Sequence, residues 1–115
     1  MIKKLSTLLI ALTFSTGVYA EFVGPGATSK ITTIKSIEKM NDDTRVTLEG
    51  YIVKEIRSEH YTFKDATGEI EIEIDDEDFR GIKIAPETKI RIVGEIDKDW
   101  TSTTVDVDYL EIVKK

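Results

Sequence analysis

The sequence predicts a mainly β fold: a small closed barrel of five strands, with a short helix before the first strand and a short helical segment between the third and fourth. Three observations carry that reading. Beyond Arg45, stretches of the chain alternate apolar and polar residues with a period of two, which marks half-buried strands. Gly50 and Gly94 fall in the middle of two such stretches, where a missing side chain permits a sharp bend or bulge. The strands are also short, and closure into a barrel removes the exposed edges that an open sheet would present.

The first twenty residues have a different character. Lys3 and Lys4 give a basic start, and an apolar run over residues 5–18 is broken only by hydroxyl residues and one glycine. Val18, Tyr19 and Ala20 follow, with small or β-branched residues where a signal peptidase reads. This is the three-part layout of a secretory signal peptide, with cleavage expected after Ala20. The run is shorter than the ~20 residues needed to span a bilayer, so no membrane insertion is expected after cleavage. With no cysteine in the chain, no lipid anchor, disulfide framework or thiolate metal site is available.

Cleavage would remove two lysines and no acid. The whole chain has 16 basic and 22 acidic residues, so the exported part would have 14 against 22, a net charge near −8. Such a field repels nucleic acid and anionic lipid and attracts cations and basic peptides. The remaining length suits one small domain.

Residues 21–31 are rich in Gly, Pro, Ser and Thr and read as a flexible lead-in; residues 32–115 form the barrel domain. Ile34, Ile37 and Met40 recur at spacings of three, giving one apolar stripe on a helix of about two turns, N-capped by Thr32 or Thr33. In the first strand Val46, Leu48, Gly50 and Ile52 point inward. Residues 61–64 form the second strand, with Asp65, Ala66, Thr67 and Gly68 as a turn. In the third, Ile70, Ile72 and Ile74 face inward while Glu69, Glu71 and Glu73 face outward. Residues 75–81 are a turn or helical segment with Phe79 tucked beneath it. Residues 89–96 make the fourth strand, 97–102 a loop, and 104–113 the fifth strand. This order of hairpin, helical segment and hairpin matches an OB-fold.

At this point the chain resembles the bacterial OB-fold (BOF) family of the YgiW/YdeI type, small exported proteins associated with stress tolerance in Gram-negative bacteria. The resemblance rests on the signal segment and on "EFVGPG", "DDTRVTLEGYIVKEI", "YTFKDATGEIEIEIDDEDFRG" and "VGEIDKDWTSTTVDVDYLE" in order. It implies a periplasmic, non-enzymatic OB-fold. Phe79 stands where the family is expected to favour tryptophan, which keeps bulk and removes an indole donor.

The ligand face of an OB-fold lies over the second and third strands, beside the first and last hairpin loops. Here that face presents Glu69, Glu71 and Glu73, where single-strand binders show basic and stacking residues, so nucleic acid is not an expected partner. The turn "FKDATGEI" has a local explanation: Asp65 and Thr67 can hold turn amides and Gly68 can take a positive φ. The acidic block can be a solvated, solubilising face, a surface for a cation or cationic peptide, or a calcium site. For the last, Asp76, Asp78, Gly81 and Glu87 fall at loop positions one, three, six and twelve of an EF-hand. Against it, Arg80 occupies a ligand position, Pro86 lies in the loop, and no strong helices flank it.

His60, the only histidine, is placed at the first hairpin loop, and Trp100, the only tryptophan, in the last. The indole either plugs the barrel end or offers a stacking surface for a sugar or peptide ring, and Tyr51 poses the same choice. No nucleophile–base motif, Gly-rich phosphate loop or zinc ligand set is present in the sequence, so neither catalysis nor a cofactor is expected. The expected function is that of a periplasmic binding protein in envelope stress tolerance. Its ligand-facing residues would be Tyr51, His60, Glu69, Glu71, Glu73 and Trp100. Its partner would be a cationic peptide, a metal cation, an envelope glycan or an envelope protein. The alternatives are an adaptor docking on a basic patch of an envelope protein such as a porin, and a binder of calcium or another divalent cation.

Overall fold

The computed structural model describes residues 30–115. The expected signal segment at 1–20, and the lead-in at 21–31 apart from its last two residues, lie outside the described residues. In chain order the elements are α1 (Ile34–Ile37), β1 (Arg45–Arg57), β2 (His60–Asp65), β3 (Gly68–Ile74), α2 (Asp76–Phe79), β4 (Lys89–Lys98) and β5 (Thr103–Lys114). The strands close into a barrel in the order β1-β2-β3-β5-β4. All pairs are antiparallel except β3 with β5.

Thr33 is the N-cap of α1, its hydroxyl accepting from the Ser36 amide. The helix is one turn shorter than the apolar stripe suggested, because the chain tightens after it. Lys39 and Met40 donate to the carbonyls of Ser36 and Ile37, three residues back. A winding of three residues per turn suits apolar side chains spaced by three. Ile34 and Ile37 are buried, and Met40 packs against the same core.

β1 belongs to two ladders. From Arg45 to Gly50 it pairs with β4, and from Tyr51 to Arg57 with β2. Gly50 sits at the changeover, where a Cβ would collide with the Lys64 carbonyl oxygen. The bend therefore requires glycine. The inward residues of all five strands meet in one core containing Leu48, Phe63, Ile72, Ile74, Ile92 and Leu110, all fully buried. Phe79 packs edge-on against Tyr61, with ring centroids 5.6 Å apart.

Two strand bounds differ from the periodicity by more than one residue. β1 runs on to Arg57 through irregularities in its pairing with β2, between Ile52 and Lys54 and between Glu55 and Arg57. Those irregularities break the alternation and leave Val53 and Ile56 exposed. β4 runs to Lys98 because Asp97 and Lys98 continue the ladder with Thr104 and Thr103. The loop expected at residues 97–102 thus shrinks to four residues.

Candidate functional site

The outward carboxylates of β3 share a face, as a period of two requires, but they do not share an environment. Glu71 is neutralised: its carboxylate accepts from Arg57 at 3.0 Å and lies 2.8 Å from His60 Nδ1. Glu69 stands opposite Lys64 in the β2–β3 register. Glu73 stands between His60 on β2 and Asp106 on β5, and Asp106 in turn faces Glu95 on β4. Three carboxylates thus follow one another across neighbouring strands, an arrangement that disfavours the sheet. Partial desolvation, and then the charges of Asp75, Asp108, Asp97 and Asp78, push the Asp106 carboxyl above its ordinary value.

The β1–β2 turn adds a further acid. Glu59 adopts a left-handed backbone, φ 67°. Its carbonyl accepts from the Ile74 amide and its carboxylate from the Asp76 amide, both at 2.9 Å. These bonds fix the turn against the end of β3, where oxygens of Glu59, Glu73 and Asp75 lie within 4.8 Å of one another. Among the described residues, none of the ion pairs formed includes these three acids. Hard oxygen donors gathered this way suit a calcium-like cation, which takes carboxylate ligands in flexible geometry.

The residues expected to form an EF-hand-like loop are placed otherwise. Asp76 and Asp78 lie on the single turn of α2, and Glu87 falls just before β4. None of them belongs to the cluster that the fold assembles. Between them Arg80 turns back to the barrel, donating to the Leu110 carbonyl at 3.1 Å and lying over the Tyr109 ring.

Trp100 does not plug the barrel; its side chain is fully exposed. Its loop is held firmly. Asp99 Oδ1 accepts from the amides of Thr101 and Ser102 at 2.8 and 2.9 Å and from the Thr101 hydroxyl. These bonds hold the Asp99 carboxyl below its ordinary value. At the loop's base the Lys98 amide donates to Asp42, and its ammonium to the carbonyls of Met40 and Glu38. Tyr51 lies apart from the acidic face, half-buried in a groove beside Lys89 and the β2–β3 turn.

Sequence reasoning missed Glu59, Asp75 and Asp106. Asp75 was within reach, since it extends the period-two row of Glu69, Glu71 and Glu73 by one step. Asp106 required knowing that β5 pairs in parallel with β3, and Glu59 required the conformation of its turn.

The sequence profile of the bacterial OB-fold (BOF) proteins matches residues 17–112. The chain belongs to the BOF family. Among BOF relatives, the calcium-regulated OB-fold protein CarO of Pseudomonas aeruginosa is 44% identical over 95 residues, covering 83% of this chain and 82% of CarO. YgiW of Escherichia coli is 41% identical over 103 residues, 80% of this chain and 79% of YgiW. The solved structure of the Escherichia coli YgiW protein superposes with a TM-score of 0.73 at 40% identity, covering 83% of this chain and 100% of that one. The BOF barrel of this chain is therefore an OB-fold by sequence and by shape.

Proposed function

We propose that this BOF protein is an exported, non-catalytic binding protein of the periplasm, serving envelope stress tolerance through an acidic face that takes a cationic ligand. The observation that carries the reading is the convergence of Glu59, Glu73 and Asp75 next to Asp106, with no basic side chain paired to the three among the described residues. A fold that keeps like charges opposed across strands gives up stability, and a bound cation removes that cost. A divalent cation is the favoured ligand because every donor is a carboxylate oxygen. The name of the relative CarO, calcium-regulated, points the same way. Export rests on the signal-peptide layout of residues 1–20, and the non-catalytic assignment on the lack of a nucleophile–base motif in the sequence.

Calorimetric titration of chelator-treated protein with calcium tests the reading. A saturable heat is expected, and Glu73→Gln and Asp75→Asn should each weaken binding about tenfold, as loss of a charged donor implies. Titration curves identical in the parent and both variants would sink it. A second reading, an envelope glycan stacked on the protein, is favoured by one observation: the fully exposed indole of Trp100 on a braced loop. Its emission should shift on adding soluble peptidoglycan fragments and persist in high salt, since stacking is not screened. A flat response removes this reading. Because the side chain touches no core, Trp100→Ala should change stability by less than about 0.5 kcal/mol.

A further inference from the structure

A groove of about 340 Å³ opens on the barrel wall between Tyr51 of β1, the β2–β3 turn and Lys89 at the start of β4. It shares no residue with the acidic cluster. Two acids line it, and both are committed elsewhere. Glu49 accepts from Arg91 Nε at 2.8 Å, within a network that continues to Glu111. Asp65 accepts from the amides of Ile34, Thr67 and Gly68. Lys89, in contrast, enters none of the ion pairs among the described residues.

The strand registers extend this charge sideways. Lys89 faces Lys114 on β5 across an irregularity in the pairing that sets in after the pair of Ile90 with Ile112, and Tyr51 stands directly opposite Lys64 on β2. Gly50 pairs with Ile90, which brings the next outward residues, Tyr51 and Lys89, side by side. Across four neighbouring strands the outer wall therefore reads Lys64, Tyr51, Lys89, Lys114. In a chain with 22 acids against 16 bases this is a local reversal of charge. Lysines opposed across a ladder disfavour the sheet as opposed acids do.

We propose that this row binds a phosphate monoester carried on a ring, the phosphate between Lys89 and Lys114 and the ring against Tyr51. A dianion neutralises both opposed ammonium groups, whereas a single carboxylate leaves one uncompensated. A phosphate monoester carries between one and two negative charges at neutral pH, and lysine binds phosphate as a point charge without demanding a fixed geometry. The half-buried phenol gives a flat apolar surface, and the groove has the volume of a small-ligand pocket. The proposal is independent of the cationic ligand, which would sit at Glu59, Glu73 and Asp75.

The test is an amide NMR titration of the isotope-labelled protein with glucose 1-phosphate, with glucose as the uncharged control. Saturating shifts are expected at Tyr51, Thr67, Lys89 and Lys114, and none with glucose. Lys89→Gln and Lys114→Gln should each weaken binding about tenfold, as expected for losing one charge-assisted contact. Both are surface changes whose own spectra show that the barrel is intact. Cosedimentation with phosphatidylcholine vesicles containing phosphatidylinositol 4-phosphate, a lipid whose phosphate monoester is carried on a ring, separates the two sources of the phosphate. Vesicle binding that glucose 1-phosphate competes away assigns a lipid headgroup, and a saturating titration without vesicle binding assigns a soluble ester. No saturable shift, or undiminished affinity in Lys89→Gln, overturns the proposal.

Discussion

Replacing Asp65 by alanine should remove a large part of the stability of this domain, although the residue is not fully buried and forms no ion pair among the described residues. Its carboxylate holds two elements at once. Oδ1 accepts from the amides of Thr67 and Gly68 at 2.7 and 3.1 Å and from the Thr67 hydroxyl, closing the β2–β3 turn. Oδ2 accepts at 2.9 Å from the amide of Ile34, the first residue of α1. In the alanine variant water satisfies the exposed Thr67 groups. The half-buried amides of Ile34 and Gly68 each lose a charged acceptor, at about 1–2 kcal/mol apiece. The loss should therefore total about 2–4 kcal/mol. For a domain that unfolds with an m-value of about 1–2 kcal/mol per molar urea, the midpoint falls by about 2 M, and the melting temperature by about 10–25 °C.

Asp65→Asn keeps an acceptor but not the charge, and should lose about half as much. The pH dependence checks the same reasoning. Burial works against the charged form of Asp65, but the bonds from the Thr67 hydroxyl and the amides of Ile34, Thr67 and Gly68 outweigh it, so the folded-state pKa lies below the ordinary 3.8. The parent's advantage over Asp65→Asn should thus be fully present above pH 3.8 and disappear as the pH falls through the lower folded value. Urea unfolding followed by circular dichroism at pH 7 and at pH 3 measures both effects. An alanine variant within about 0.5 kcal/mol of the parent would show that the turn is held by backbone geometry alone.

Two further changes test other parts of the structure. Gly50→Ala places a Cβ against the Lys64 carbonyl at the bend of β1, and backbone displaced there should cost about 3 kcal/mol or more, read as a lowered melting temperature; an unchanged melting temperature would mean that the bend is not rigid. Asp106→Asn should stabilise the protein at neutral pH by about 0.4–2 kcal/mol, the worth of the two like-charge pairs it makes with Glu73 and Glu95. Because the folded pKa of Asp106 is raised, its penalty is full above that value and gone below the ordinary 3.8, so the gain should vanish in acid.

Local features of this chain were legible in its sequence and pairings across distance were not. Strict alternation over Glu69 to Ile74 gave β3 its two faces, and the turn chemistry of Asp65 and Thr67 followed from residue type alone. Gly68, expected to take a positive φ, does not, because the Asp65 carboxylate closes the turn instead. The reach of Asp65 to Ile34, thirty-one residues earlier in the chain, has no local signature. The acidic face shows the same division. Sequence spacing placed three glutamates on one side of a strand, but only the middle one forms an ion pair with Arg57 and lies against His60, because β2 carries β1 past β3 in that register. The indole of Trp100 was ambiguous for a related reason: whether a loop folds over a barrel end or stands away from it depends on anchors such as the Asp42–Lys98 bond, whose partners are fifty-six residues apart.

The placement of β5 has a consequence for how this chain acquires its structure. The strand nearest the C-terminus is also the one that joins β3 to β4, in parallel with one and antiparallel with the other. A chain lacking it keeps an open sheet of four strands in the order β4-β1-β2-β3, with Ile72 and Ile74 uncovered along one edge. Closure therefore cannot precede synthesis of β5. A nascent or C-terminally clipped chain has no smaller barrel to settle into, and the domain forms in one late, all-or-none step dominated by contacts distant in sequence.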